Sequence, residues 1–356
     1  MSAKAKKGIK LIAGLAVVAA MLLILYFLFK DSYKDIAKQL AQTNLFILAG
    51  MVVLGNMYYL IDAILYSYLL RREGHPMSFR ACTAVAYMCV FFNVTTFGAG
   101  IKPAQVIYLH SKGIDSGRGF AITAMPYVFH KTVIVVYALV MLAFNNAFVI
   151  RNFSQTFIYI YLGAGLSVAI IVCMILMCEA KGFHNFVLKI IDFIFKSERF
   201  DGMKQGLRRW AESLREGTKD IIKSPKAWVN FSLMNILKMT CWYVIPMIAI
   251  YASGGTMNGV TFGQALTATA LMQLVMGVIP TSGGVGSLEV VFSLIFAAVF
   301  GKVLAGSSVV LYRLSTYYIP FLVSIVVMLI VGRDIKKSKA EMKNEKRQKR
   351  GCAEDE

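Results

Sequence analysis

Nine apolar runs constrain this chain more than any other feature of it. The first is Leu11 to Phe29; the others lie at about 44–70, 81–97, 119–144, 154–179, 227–252, 262–279, 287–301 and 304–332. A helix that spans a bilayer needs about 20 apolar residues, and a membrane barrel strand shows only about 10 alternating ones. Runs of this length leave an all-α polytopic integral membrane protein. Composition agrees, with 58% hydrophobic and 16% charged residues, where a soluble globule carries roughly 25% charged. The first run follows Lys4, Lys6, Lys7 and Lys10. It is longer than the core of a signal peptide, so it reads as an uncleaved helix with a cytoplasmic N-terminus.

The net charge is +19, but its placement argues against nucleic acid. Lys and Arg sit between and after the apolar runs, as in cytoplasmic loops facing an anionic leaflet. The six cysteines, Cys82, Cys89, Cys173, Cys178, Cys241 and Cys352, form no CxxC pair, and the four histidines have no zinc-binding spacing. No metal site and no cofactor is expected.

Loop charge also fixes the topology. Residues 71–80 carry Arg71, Arg72 and Arg80, and 180–226 carry eleven Lys or Arg against six acidic residues. By contrast, 145–153 hold only Arg151 and 253–261 hold no charge. If every run crossed, the eleven-cation segment would lie outside, against the positive-inside rule. Two runs that return to their own side remove the conflict.

The expected layout is about six full spans plus two re-entrant helical hairpins arranged as an inverted repeat. Residues 1–30 form a basic segment and first helix. Residues 31–179 form a first membrane half, with a hairpin at 81–111 that opens from the cytoplasm. Residues 180–226 are a basic cytoplasmic linker. In it Phe183, Phe186, Val187, Ile190, Ile191 and Ile194 recur at amphipathic spacing, which fits a helix on the membrane surface or a solvated connection. Residues 227–335 form a second half, with a hairpin at 262–303 that opens from outside. Residues 336–356 are a charged cytoplasmic tail.

The hairpin tips are polar and glycine-rich. The first reads NVTTFGAGIKPAQV, Asn93 to Val106; the second reads GVIPTSGGVGSLEV, Gly277 to Val290. Val94, Gly100 and Val106 match Val278, Gly284 and Val290 in register. Tip residues are Asn93, Thr96, Gly98 and Gly100 in the first, and Pro280, Thr281, Ser282, Gly283, Gly284 and Gly286 in the second. Unwound backbone at membrane depth must be surrounded by protein or line a cavity. Broken helices in paired halves are a plan that transporters use.

Few charges fall within the spans: Asp62, Lys131, Lys238, Glu289 and Arg313, with His130 beside Lys131. Asp62 with Lys238, and Glu289 with Arg313, would make ordinary buried ion pairs. Three cations still face two carboxylates. An anionic ligand would balance the excess, and half-helix N-termini at the tips would offer N–H groups to a phosphate. A phospholipid headgroup suits such an opening.

These residues resemble a known family. FFNVTTFGAGIKPAQVIYLHSKGI, IPTSGGVGSLEVVF and LYRLSTYYIP stand in the order of the lysylphosphatidylglycerol synthase transmembrane region, a flippase-like domain, over residues 8 to 335. Thr96 and Ser282 stand where that family has proline, Ile101 where it has a second glycine, and Lys102 where it has glutamine. The resemblance implies translocation of an anionic or aminoacylated phospholipid, such as lysyl-phosphatidylglycerol, across a bacterial cytoplasmic membrane. Surface charge and resistance to cationic antimicrobial peptides would follow.

In that reading Lys131, Arg313 and Lys102 compensate the phosphate. Glu289 holds Arg313 or meets an aminoacyl ammonium. The family's lysyl transfer from lysyl-tRNA to phosphatidylglycerol belongs to a separate soluble domain. The 24 residues after Gly332 are too few to build one, since a fold needs at least about 40 residues. No transferase chemistry is therefore expected here. The partners this implies are a membrane phospholipid and, compatibly, a separate lipid-modifying enzyme and a homo-oligomer. Lysyl transfer, ion-coupled transport of a small solute and a scaffold role are the competing functions.

Overall fold

The computed structural model describes residues 40–96, 98–154, 157–194, 224–257, 259–278 and 286–332, with Lys34, Lys38 and Glu212 besides. The first apolar run, most of the basic linker, the charged tail and the second tip from Pro280 to Gly284 lie outside the described residues. Those that are described form helices joined by turns, with no strand among them.

The first half runs α1 (Leu45–Arg72), α2 (Phe79–Thr95), α3 (Ile101–Ser111) and α4 (Ser116–Phe144). A short α5 (Asn146–Asn152) leads to α6 (Phe157–Glu179) and α7 (Lys181–Ile194). The second half repeats the first order with α8 (Pro225–Ala252), α9 (Phe262–Val278), α10 (Ser287–Phe300) and α11 (Lys302–Arg313). After α11 the helix widens into a π turn, Leu314–Tyr318, and continues to Gly332. Four helices are long and apolar enough to cross a membrane: Leu45–Arg72, Ser116–Phe144, Lys226–Ala252 and Lys302–Gly332.

Local chemistry sets the helix starts. Asn44 accepts from the Phe46 N–H at 2.9 Å, Ser78 from Ala81, and Asp115 from Gly117 at 2.8 Å and from Arg118. Each satisfies a donor that the first turn leaves open. Between α2 and α3 the chain turns through Gly98 at φ 85°, a conformation that side chains rarely adopt. Thr96 Oγ1 accepts from the Gly100 N–H at 2.8 Å and donates to the Phe92 carbonyl at 2.6 Å.

Both broken pairs close on themselves. Arg118, at the start of α4, hydrogen-bonds His75 at 3.1 Å and approaches Glu73 at 4.0 Å in the turn before α2. The start of α2 and the end of α3 therefore share the N-terminal end of α4. The second pair starts at the other end of α4. Thr267 of α9 donates to the Met141 carbonyl near the end of α4, and Gly255 abuts Leu304 at the start of α11.

Helices of both halves meet in one large core. Met51 of α1, Tyr243 of α8, Leu271 of α9, Phe292 of α10 and Tyr312 of α11 are all buried in it. At Gly55, α1 passes so close to the π turn that a Cβ would collide with the Ser315 carbonyl. The outer faces stay apolar. Leu322, Val326 and Leu329 form a stripe at helical spacing, each more than half exposed, as suits a surface solvated by lipid.

The linker stripe divides in two. Phe183 and Val187 of α7 pack against Ala124 and Val128 of α4, while Phe186 and Ile190 stay exposed. Part of the amphipathic face is thus docked on α4.

Candidate functional site

A cavity of about 210 Å³ lies where the two broken pairs converge. At about 30 Å³ per water it has room for roughly seven waters, the scale of a phosphate-bearing headgroup without its acyl chains. Each half contributes to its wall. Tyr58 and Tyr59 come from α1, Asn93 from the end of α2, and His130 and Ile134 from α4. Met239, Trp242 and Tyr243 come from α8, Gln273 and Met276 from α9, and Leu288 from α10. Tyr312 and Arg313 of α11 and Thr316 and Tyr317 of the π turn complete it.

Arg313 supplies the cavity's guanidinium. Its Nε donates to Glu289 Oε1 at 2.7 Å, and its Cζ lies 5.1 Å from the centre of the Tyr317 ring. Glu289 is fully buried and serves a second donor, accepting from the Gly286 N–H at 2.8 Å through Oε2. One carboxylate therefore caps α10 and fixes the arginine. Gly286 has φ 82°, so the chain can turn into α10 with that N–H aimed at the carboxylate.

The π turn following Arg313 frees main-chain carbonyls that hydroxyls then occupy. Thr316 Oγ1 donates to the Tyr312 carbonyl at 2.6 Å, and Ser315 Oγ to the Leu311 carbonyl at 3.0 Å. Extra residues of this kind in a helix recur at functional sites. Here the turn brings Thr316 and Tyr317 onto the same wall as Arg313.

The second ion pair stands just behind the wall. Lys238 Nζ donates to Asp62 Oδ1 at 2.7 Å and sits 4.8 Å from the centre of the Tyr58 ring. The Tyr58 ring packs on Trp242 at 4.5 Å between centroids, and the Tyr58 hydroxyl lies 3.5 Å from His130 Nε2. Three buried polar atoms of wall residues have no hydrogen-bond partner among the described residues: His130 Nδ1, the Tyr243 hydroxyl and the Tyr317 hydroxyl. Buried polar atoms ordinarily have partners, so these three stand out beside the cavity.

The residues singled out from sequence separate into two groups. Arg313 and Asn93 line the cavity, with Glu289 directly behind, and Asp62 and Lys238 form the expected pair. Lys131 does not line it; its Nζ lies 5.8 Å from the Tyr127 ring, on a residue 44% exposed. Lys102 does not line it either, and its Nζ donates to the Thr123 carbonyl of α4. Thr96, Gly98 and Gly100 shape the first break without reaching the wall.

Sequence reasoning missed the tyrosines and Trp242, which at helical spacing look like core. It also missed Gln105, the counterpart of Glu289 in the aligned tips. Gln105 is buried and donates to the Val85 carbonyl at 2.9 Å and the Tyr66 hydroxyl at 3.2 Å. The in-register alignment of the two breaks held the signal for it.

Among the described residues no group of three His, Cys, Asp or Glu side chains is placed to hold a metal ion. A comparison with curated proteins finds no match. A scan against family models matches residues 11–324, most of the chain, to the lysylphosphatidylglycerol synthase TM region. The chain belongs to that family of membrane proteins.

Proposed function

We propose that the protein moves a phospholipid with a phosphodiester headgroup between the leaflets of a bacterial cytoplasmic membrane. The headgroup is anionic or aminoacylated, as in phosphatidylglycerol or lysyl-phosphatidylglycerol. One observation carries this reading: a half-open cavity, walled by both halves, that Arg313 lines beside His130, Tyr243 and Tyr317. A cavity of headgroup size inside an apolar exterior suits a lipid whose chains stay in the bilayer while its polar end passes through protein.

In this reading the two broken pairs are re-entrant hairpins that open to opposite faces. The four long helices, α6 and the first apolar run make six spans, with both termini cytoplasmic. The loop charges support that orientation. Arg313 meets the phosphate and Glu289 holds Arg313 in position.

Trp242 on the cavity wall provides the test. With Trp210 and Trp228 replaced by phenylalanine, Trp242 is the only tryptophan left of the three. Titrating glycerophosphoglycerol into this variant should change the Trp242 emission saturably. Unchanged emission across the titration would refute headgroup binding in the cavity.

A further inference from the structure

The two carboxylates beside the cavity are each matched by one cation: Glu289 by Arg313 and Asp62 by Lys238, both at 2.7 Å. The paired charges cancel. A phosphodiester brings one further negative charge into a partly closed space lined by several aromatic rings, where an uncompensated charge is disfavoured. Something on the wall must answer it.

The other two cations near α4 are turned elsewhere, Lys131 along the Tyr127 ring and Lys102 onto the Thr123 carbonyl. Tyr243 and Tyr317 can donate hydrogen bonds, but a phenol does not gain charge by taking a proton near neutral pH. His130 can. It lines the cavity, and among the described residues its buried Nδ1 has no partner and its Nε2 has a single long contact, to the Tyr58 hydroxyl. Imidazole is the one side chain that ordinarily changes charge between about pH 5 and 8.

We infer that an anionic phosphodiester enters this cavity together with one proton, carried by His130, so that the two cross as a neutral load. The inference rests on the reading that the cavity receives a phosphodiester. The surroundings of His130 favour such a linkage. On its own helix Lys131 is the next residue, and α8 places Lys238, paired with Asp62, against Tyr58. An arriving phosphate brings the negative charge that favours a proton on the ring, while Arg313 donates to its oxygens.

The remaining charged groups around α4 are already engaged. Asp62 of α1 is paired with Lys238, and Glu289 of α10 with Arg313. Tyr312 of α11 accepts from Gln273 at 3.2 Å. When the site opens to the other face, the headgroup leaves and His130 releases its proton to water. A lipid that carries its own ammonium, such as lysyl-phosphatidylglycerol, needs no such proton. Free phosphate offers the same chemistry as the lipid and is the other source to separate.

The test uses the full chain in vesicles of phosphatidylcholine doped with phosphatidylglycerol. An outside medium one pH unit more acidic should drive phosphatidylglycerol to the inner leaflet, with about a tenfold shift in its distribution at equilibrium. A potassium diffusion potential alone should not move it, and lysyl-phosphatidylglycerol should ignore the pH gradient. His130→Gln should make phosphatidylglycerol respond to the potential instead of the pH gradient. Wild-type movement that follows the potential and ignores pH would overturn the proton coupling, even if the variant fails to fold. A folded His130→Gln protein with the wild-type pH response would overturn the role of His130. Failure of both lipids and of labelled phosphate to move would overturn this inference and the proposed function together. Labelled phosphate taken up under the same pH gradient, with both lipids immobile, would keep the coupling and remove the lipid as its source.

Discussion

Replacing Arg313 by methionine strips the guanidinium from a carboxylate that has no exposure at all. Glu289 would keep one donor, the Gly286 N–H, and lose the charge-assisted bond at 2.7 Å. Breaking a buried pair on one side costs about 3–5 kcal/mol, because the remaining charge is uncompensated. Glu289→Gln leaves Arg313 without its counter-ion but retains an acceptor for Gly286, so its cost should sit at the lower end of that range.

The double variant leaves no bare charge. Methionine fills much of the arginine's apolar stem space, and the glutamine keeps the Gly286 bond. Its cost should be about 1–3 kcal/mol, which makes the coupling between the two sites about 3–7 kcal/mol. Reversible unfolding in mixed micelles titrated with dodecyl sulfate measures all four proteins. Costs that add to within about 0.5 kcal/mol would refute the claim that the two residues act as one buried unit. The double variant also separates fold from function: it should insert and remain stable while losing headgroup binding at Trp242.

Gly55→Ala should destabilise the protein by about 1–3 kcal/mol through overpacking against the Ser315 carbonyl, read in the same unfolding titration. Asp62→Asn should cost more than Lys238→Met, because the Lys238 side chain is 2% exposed and that of Asp62 is 19% exposed; equal costs would contradict that reading of the pair. Asp115 accepts from the Gly117 and Arg118 N–H groups, which hold its carboxyl below the usual carboxylate range. Its contribution is present above the unfolded pKa and is lost as pH falls through the lowered one. Asp115→Ala should therefore reduce the melting temperature at neutral pH, and the gap should close in acid below the ordinary carboxylate range.

Helix positions were legible in the sequence because uninterrupted apolar runs admit few structures at membrane depth. The pairing of Asp62 with Lys238 and of Glu289 with Arg313 was legible for a related reason, since isolated charges inside spans need partners. Rotational phase was harder to read. His130 and Lys131 are adjacent, yet about 100° separates neighbours around a helix. His130 lines the cavity and the Lys131 ammonium lies along Tyr127, a difference that counting cations along the chain does not show. Lys102 misled in the same way, because its distance from α4 depends on how α3 folds back. The π turn adds a residue to its helix after Arg313, which shifts Thr316 and Tyr317 onto the wall against any regular spacing. The aromatic wall was hidden because tyrosines in a core and tyrosines around a cavity have the same periodicity.

The central claim is that the cavity between the two halves is the route of a lipid headgroup. Met276 lies on its wall and is only partly buried, so Met276→Trp adds indole volume at the cavity. Transbilayer movement of phosphatidylglycerol and lysyl-phosphatidylglycerol in proteoliposomes, wild type against Met276→Trp at matched insertion, is the direct measurement. The account predicts movement of lipid by the wild type and at least a tenfold loss in the filled variant, roughly 1.4 kcal/mol or more. Equal rates for the two proteins would contradict it.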